Sequence, residues 1–280
     1  MMQRAHLVMT ALCCCAFATG PVQALPQESR VPGGIALITL PLTLTPPVSV
    51  RLADKPVLVT ADERGNPVAV VGIPLTASAG MLTLEVENAS TRLALPFEVT
   101  AKDYPEQHIT LPTQTHVNPS PENLERYARE AQAQQAIYRT FTPGSNRWPR
   151  FVLPTAGNYN NTFGLKRFFN EEPRAPHAGL DIAAPEGQEV IAPADGVIAQ
   201  TGDYFFNGRT VMIDHGHGLV SMLCHLSAIN VQQGQVITQG DVIGHVGHTG
   251  RATGPHLHWT VSLNDARIDP VLLLPVLPDE

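Results

Sequence analysis

Short apolar runs separated by turn residues fill the first part of the chain. Between residues 25 and about 110 these runs are rich in Val, Ile and Leu, and turn formers such as the 62–67 stretch separate them. Regularly spaced runs of this kind are typical of a small β-sandwich. The predicted strands cover residues 35–44, 48–52, 56–60, 68–73, 81–86 and 91–99. We therefore expect residues 25–112 to form an N-terminal β-sandwich that acts as a spacer or docking module.

A helical period interrupts this pattern after residue 120. Ser120 followed by Pro121 is typical of a helix N-cap and the first helical position. Apolar side chains then recur at helical spacing, at Leu124, Tyr127, Ala128, Ala131 and Tyr138. The pattern predicts one helix over residues 121–138, within a linker of residues 113–147. Such a stripe is more often a packing surface than a functional site.

From residue 148 the chain becomes glycine-punctuated, and a second, β-rich domain is expected over residues 148–280. The whole sequence of 280 residues is 43% hydrophobic and 15% charged, and such a composition excludes intrinsic disorder. The formal net charge is −7 and there is no dense basic run, which excludes a nucleic-acid partner.

The first 24 residues have the features of a secretory signal peptide. Arg4 precedes an apolar stretch over 7–19, which is too short to span a bilayer, and Val22-Gln23-Ala24 fits a cleavage site. We expect cleavage after Ala24, export, and no transmembrane span. A buried N-terminal helix and lipidation within the Cys13–Cys15 run are the alternatives. Cleavage would remove three of the four cysteines and leave Cys224 without an internal disulfide partner.

Eight of the eleven histidines fall within residues 177–258, and such a concentration suggests metal binding. His256 and His258 are two residues apart, so on a strand both would face one site. His177 and Asp181 stand in a bent segment that enters another predicted strand. An imidazole and a carboxylate from this segment, with one histidine of the pair, would supply the three protein ligands of a catalytic zinc site.

His225 is a candidate acid/base group in a third β-like run. Cys224 precedes it, but neighbouring side chains on a strand face opposite ways, so the two cannot form a nucleophilic dyad. Cys224 is therefore interpreted as a small buried hydrophobe. The remaining histidines of the cluster are interpreted as turn or surface residues: His215, His217, His245 and His248.

Motifs between residues 161 and 274 together resemble the LytM-type, lysostaphin-like zinc metallopeptidases of family M23, which are peptidoglycan endopeptidases. The matching motifs are Phe163-Gly164, His177-x-x-x-Asp181, Ala184-Pro185-Glu186-Gly187, Ala192-Pro193-Ala194-Asp195-Gly196-Val197, His225-Leu226, Gly234-Gln235-Val236, Gly247-x-Thr249-Gly250, Gly254-Pro255-His256-Leu257-His258 and Asp269-Pro270. The resemblance does not cover the N-terminal region. It implies a C-terminal domain with a mainly antiparallel sheet and a zinc cleft between loops.

The resemblance also implies residue roles. The zinc ligands would be His177, Asp181 and His258, with one Zn²⁺ per chain. The catalytic residues would be His225 and His256, and which of them is the base stays open. Arg167 and Asn161 are further candidates for substrate contact. Leu223 departs from the family pattern, which has a tyrosine two residues before the catalytic-loop histidine.

The function that this resemblance implies is an exported, periplasmic zinc metallo-endopeptidase. It would hydrolyse peptide cross-links of peptidoglycan through a zinc-activated water, with peptidoglycan peptide stems as its partners. The alternative is a non-catalytic or latent peptidoglycan-binding regulator of cell-wall amidases. In the latent case, the N-terminal domain or the linker helix would occlude the cleft.

Overall fold

Strands make up most of the structure, which confirms the predicted mainly β class with antiparallel sheets. The computed structural model describes residues 25–44, 47–110, 117–144 and 147–275. The predicted signal peptide, residues 1–24, lies outside the described residues. Among the described residues, no helix combines the length and the apolar character needed to cross a bilayer.

Within residues 25–44 and 47–110, the N-terminal region has eight strands, seven of which form two antiparallel sheets. The strands are β1 (Ile35–Thr39), β2 (Ser49–Leu52), β3 (Lys55–Pro56), β4 (Leu58–Ala61), β5 (Pro67–Gly72), β6 (Gly80–Glu87), β7 (Arg92–Val99) and β8 (Glu106–Ile109). One sheet has the order β1-β5-β4 and the other β3-β2-β6-β7. Side chains such as Ala36, Val71 and Val86 fill the core between the two sheets.

Strand β5 is buried on both faces and links the N-terminal region to the rest of the chain. Val71 belongs to the core between the two N-terminal sheets, whereas Val70 belongs to the core of the C-terminal domain. The alternation follows from strand geometry, in which successive side chains point to opposite faces. Asn264 reinforces the junction, because its amide exchanges two hydrogen bonds, of 2.7 and 3.0 Å, with the backbone of Gly72.

Helix α1 (Pro121–Tyr138) covers the residues that the sequence predicts. The Ser120 hydroxyl caps its first turn by accepting a hydrogen bond of 3.3 Å from the Asn123 amide. The helix lies against the C-terminal sheet: Glu130 accepts a hydrogen bond of 2.8 Å from the Phe205 amide, and the Tyr138 hydroxyl lies 3.2 Å from the Met222 sulfur. The predicted linker helix is thus packed on the C-terminal domain.

The C-terminal domain is built on an eight-stranded sheet. The strands of the domain are β9 (Asn158–Tyr159), β10 (Lys166–Phe169), β11 (Glu172–Pro173), β12 (Leu180–Ala183), β13 (Glu189–Ile191), β14 (Gly196–Tyr204), β15 (Gly208–Asp214), β16 (Leu219–Leu226), β17 (Ala228–Ile229), β18 (Val236–Ile237), β19 (Val242–His245), β20 (His256–Leu263) and β21 (Ala266–Ile268). The eight-stranded sheet has the order β18-β14-β15-β16-β20-β12-β9, and β21 pairs with β20. A 3₁₀ turn at Pro270–Leu273 follows the last strand.

Two small sheets complete the domain. Strands β13, β19 and β17 form one of them, and β11, β10 and β8 form the other. Strand β8 falls in the range predicted for the sandwich, but it pairs in parallel with β10, for example Gln107 with Arg167. The chain before α1 therefore contributes a strand to the wall of the C-terminal domain.

His215 lies in the turn between β15 and β16, as predicted, and it also belongs to a partly buried hydrogen-bond network. Its Nδ1–H donates to the Asp195 carbonyl at 2.7 Å, which leaves Nε2 to accept from the Ser221 hydroxyl at 2.9 Å. Ser221 in turn accepts a hydrogen bond of 3.2 Å from the indole of Trp259. Burial lowers the pKa of His215 to about 4, although the nearby carbonyl of Asp195 and the charge of Asp214 act in the opposite direction.

The network predicts an acid-sensitive contribution to stability. Because the pKa of His215 is lower in the folded state, the unfolded chain binds the extra proton between pH 6.5 and about 4, and stability falls as pH drops through that window. The limiting effect is about 3 kcal/mol. Denaturant unfolding of His215→Gln and of the wild type should show a smaller loss between pH 7 and pH 4 for the variant. An equal loss in both proteins would contradict the assignment, and His248→Gln, at an exposed position, is the control.

Candidate metal centre

The centre of the site lies where β12 meets β20. Asp181 of β12 pairs directly with His258 of β20, and His177 lies just before β12. Gly179 makes the approach possible, because a Cβ at this position would come within 2.6 Å of the His258 ring. The His-x-Gly-x-Asp segment therefore supplies the His177 and Asp181 side chains, and its glycine leaves room for the His258 ring between them.

Three acceptor atoms converge at this junction. His258 Nδ1 lies 2.7 Å from Asp181 Oδ1 and 2.9 Å from His177 Nε2. The third distance, from His177 Nε2 to Asp181 Oδ1, is 3.1 Å. Among the described residues, these three are the group whose ligand atoms are close enough to hold a metal ion.

Outer hydrogen bonds direct the imidazole lone pairs into the centre. His177 Nδ1 lies 2.8 Å from the Thr162 carbonyl, which can only accept, so Nδ1 carries the proton and Nε2 is free. His258 Nε2 lies 2.9 Å from the Thr260 hydroxyl, which can accept its proton and leave Nδ1 free. Such outer partners fix the tautomer of metal-binding histidines.

Asp181 has a second partner outside the centre. Its Oδ2 accepts a hydrogen bond of 2.9 Å from Arg167 Nη2, while Oδ1 faces the two imidazoles. Arg167 is held in turn by Gln107 of β8, whose side-chain oxygen lies 3.1 Å from Nε. The arginine thus orients the carboxylate and connects it to the segment before α1. This contact is its role in the structure, whereas its predicted contact with substrate stays a prediction.

His225 stands beside this centre on a β-bulge. The register between β15 and β16 shifts at this point, and His225 adopts φ 64°, a left-handed conformation that is uncommon for a residue other than glycine. A bulge re-aims a side chain that a regular strand would direct elsewhere. Cys224 pairs directly with His258, so the bulge brings His225 to the face that Cys224 shares, instead of the opposite face that alternation predicts. Cys224 lies in a buried cluster with Tyr138 and Met222, as a small buried hydrophobe is expected to do.

His225 and His256 form a second pair, with ring centroids 4.8 Å apart. The Nδ1–H of each donates to a backbone carbonyl at 2.8 Å, that of Thr249 for His225 and that of Gly254 for His256. Both Nε2 atoms are therefore unprotonated when the rings are neutral. His256 Nε2 lies 3.9 Å from Asp181 Oδ1, which places the pair next to the three converging atoms.

Burial and neighbouring charges keep the site in the protonation state that a cation prefers. Burial lowers the pKa of His225 to about 3, with the charges of His258 and His256 acting in the same direction. Burial lowers the pKa of His258 to about 4, although Asp181 opposes the shift. For Asp181 burial acts upward, but hydrogen bonds and charge from His177 and His258 bring its pKa well below the usual range.

The residues present fit a divalent metal ion. Two imidazole nitrogens and a carboxylate oxygen lie within 3.1 Å of one another, and when both imidazoles are neutral with the tautomers above, no proton separates the three. Such a cluster of acceptors is electrostatically unfavourable without a cation. Two histidines and one carboxylate are also the protein ligands of some catalytic zinc sites. A metal ion at this junction would neutralise the repulsion.

The structure therefore brings together the five residues singled out from the sequence: His177, Asp181, His225, His256 and His258. Sequence reasoning missed Thr260, although its position two residues after His258 on one strand face was a usable signal. Gln107 could not be found in this way, because its approach depends on the pairing of β8 with β10. Leu223 is fully buried and faces the core, so that position does not line the cleft.

Comparison with known proteins identifies the family of this chain. Residues 175–270 match the model of peptidase family M23, and residues 28–102 match that of the peptidase family M23 N-terminal domain. A solved structure of an M23 peptidase from Pseudomonas aeruginosa is 42% identical, with a TM-score of 0.73, and the similarity covers 89% of this chain and 96% of that one. The chain belongs to peptidase family M23, as its motifs predict, and the relationship extends to the N-terminal region.

Curated relatives are similar over shorter stretches. The chain is 48% identical over 95 residues to the DD-carboxypeptidase/endopeptidase Mpg of Neisseria meningitidis, which is 34% of this chain and 22% of that protein. It is 45% identical over 111 residues to the peptidoglycan DD-endopeptidase ShyA of Vibrio cholerae, which is 39% of this chain and 26% of that protein. The matches thus span about a quarter of the relatives' length.

Metal retention should depend on both the ligands and their outer partners. Asp181→Asn removes the charged ligand and should abolish stoichiometric zinc binding. Thr260→Val keeps the side-chain shape but removes the acceptor for His258 Nε2–H, and should weaken zinc binding about 10- to 100-fold. Competitive titration with a chromogenic chelator measures both. Full zinc affinity in Asp181→Asn would contradict the assigned site, and His248→Ala, outside the cluster, is the control.

Proposed function

We propose that this protein is an exported zinc metallo-endopeptidase that hydrolyses peptide cross-links of peptidoglycan. The observation that carries the proposal is the convergence of a His–Asp–His centre with two further histidines in one cleft. The cleft has a volume of about 560 Å³. Such an arrangement suits hydrolysis, because one group of side chains can hold a metal ion while another moves protons.

The protein's own residues divide this work. His177, Asp181 and His258 would hold the ion, and Arg167 keeps the carboxylate oriented. A bound zinc ion supplies Lewis acidity, which activates water and polarises a peptide carbonyl. When neutral, His225 and His256 each present an unprotonated Nε2, because each Nδ1–H donates to a backbone carbonyl. Either can then take a proton from the attacking water or, once protonated, donate a hydrogen bond to the developing oxyanion.

The substrate is proposed from the relatives. Mpg and ShyA are named for cleavage of DD-type peptide bonds, and ShyA for peptidoglycan. A cross-link between two D-residues is therefore the bond that we propose for this chain. The predicted signal peptide supports a periplasmic location, where this substrate is accessible.

Digestion of purified sacculi tests the proposal directly. Zinc-loaded protein should remove cross-linked dimers from the muropeptide profile, and a chelator should block the loss. His225→Ala should retain zinc but cleave about 10²- to 10⁴-fold more slowly, because it loses a proton-transfer group without losing a ligand. Mass spectrometry of the products identifies the bond. An unchanged profile with zinc confirmed in the protein would contradict the activity.

The alternative of a latent protein is supported by the position of α1. Leu124 and Tyr127 of the helix line the same cleft as the metal ligands, and both are about half exposed. If the helix restricts access, Leu124→Ala should increase cleavage of intact sacculi several-fold and affect small soluble peptides less. The exposed Glu125→Ala is the matched control. Equal activity of Leu124→Ala and wild type on both substrates would contradict occlusion at this position.

A further inference from the structure

Arg251 is a cationic residue in the wall of the cleft, and it has no part in metal binding or proton transfer as proposed here. It precedes β20, and its side chain lines the same cavity as His177, His225 and His258. Its guanidinium carbon lies 4.6 Å from the ring centroid of Phe169 and 4.3 Å from that of Phe206. The stacking holds the guanidinium in place through its faces and leaves the N–H groups at its edge available.

The other two arginines of the cleft are neutralised by carboxylates. Arg167 Nη2 lies 2.9 Å from Asp181, and Arg174 Nη2 lies 2.6 Å from Glu172. Across residues 25–44, 47–110, 117–144 and 147–275, no carboxylate pairs with Arg251 and no acceptor takes a hydrogen bond from its guanidinium. One positive charge of the three thus stays uncompensated, in a chain whose formal net charge is −7.

Holding this charge in the wall has a cost. Burial lowers the pKa of Arg251 to about 10, and the charges of Arg167 and Arg174 act in the same direction. The group is still protonated at neutral pH. A half-buried cation without a counter-ion is unfavourable in the free protein, and binding of an anion offsets that cost. The rings of Phe169 and Phe206 also fix the orientation of the guanidinium. A charge that served only to keep the surface solvated would not need a fixed orientation.

We propose that Arg251 is a substrate-binding residue that recognises a free carboxylate of the peptide close to the scissile bond. The planar fork of a guanidinium matches a carboxylate with two parallel hydrogen bonds. An anionic peptide could then be anchored at Arg251 while its carbonyl lies at the metal centre in the same cavity. This deepens the proposed function and rests on it: the substrate is a peptide with a negative charge near the cleaved bond, and an amidated peptide is a poorer one.

The test uses the full chain with zinc bound and a soluble cross-linked peptide, of which each carboxylate is converted in turn to a carboxamide. For one of these carboxamides, the wild type should lose about 10- to 100-fold in kcat/KM, mainly through KM. Arg251→Gln should lower kcat/KM for the unmodified peptide to the level of that carboxamide, and should leave the carboxamide within about twofold. Arg251→Lys, which keeps the charge without the fork, should lie between the two.

Arg64→Gln, in an exposed turn of the N-terminal region, is the matched control, and zinc content and thermal unfolding establish that each variant is folded. If Arg251→Gln slows all peptides equally, or if the wild type does not distinguish the carboxamides, the proposal is overturned. Should the wild type cleave none of these peptides, the proposed function fails instead. Equilibrium binding of the same peptides to zinc-loaded His225→Ala, with and without Arg251→Gln, then decides the carboxylate preference independently, and equal affinities overturn it.

Discussion

Repulsion among three acceptor atoms is the constraint on which the site depends. Two imidazole nitrogens and a carboxylate oxygen, 2.7–3.1 Å apart, are held together by groups that have little freedom to change. The Thr162 carbonyl fixes one imidazole, the Thr260 hydroxyl the other, and Arg167 the carboxylate. A scaffold that maintains such an arrangement is prepared for a cation before the cation arrives, which is the general condition for tight and selective binding.

Much of this could be predicted from the sequence because the relevant distances are short along the chain. Alternation on a strand is enough to place His256 and His258 on one face, and the Ser120-Pro121 start defines α1. The parts that local sequence does not indicate depend on long-range pairing. His215 lies in the predicted turn, yet its contact with Ser221, which also binds Trp259, makes it part of a partly buried network.

The bulge at His225 shows a different kind of limit. Alternation predicts that Cys224 and His225 face opposite sides of the sheet. However, Cys224 pairs directly with His258, and the His225 ring lies 6.0 Å from the His258 ring, so both residues lie on the side of the metal centre. The alternation is broken by the left-handed backbone at His225, which accompanies an extra residue in the register between β15 and β16. Unusual backbone conformations of this kind concentrate at functional sites, where surrounding contacts compensate their cost. The position of the catalytic candidate is thus a property of the whole sheet.

Strand β5 has a consequence for how this protein can vary. Val70 and Val71 fill different cores of a three-layer structure, so a change of side-chain volume in this strand disturbs the packing on both of its faces. The two halves of the molecule should therefore gain and lose their order together, as one cooperative unit. Amino-acid substitutions in the N-terminal region should be best tolerated in the outer sheet, at the solvent-facing positions of β6 and β7, because these side chains do not pack in a second core.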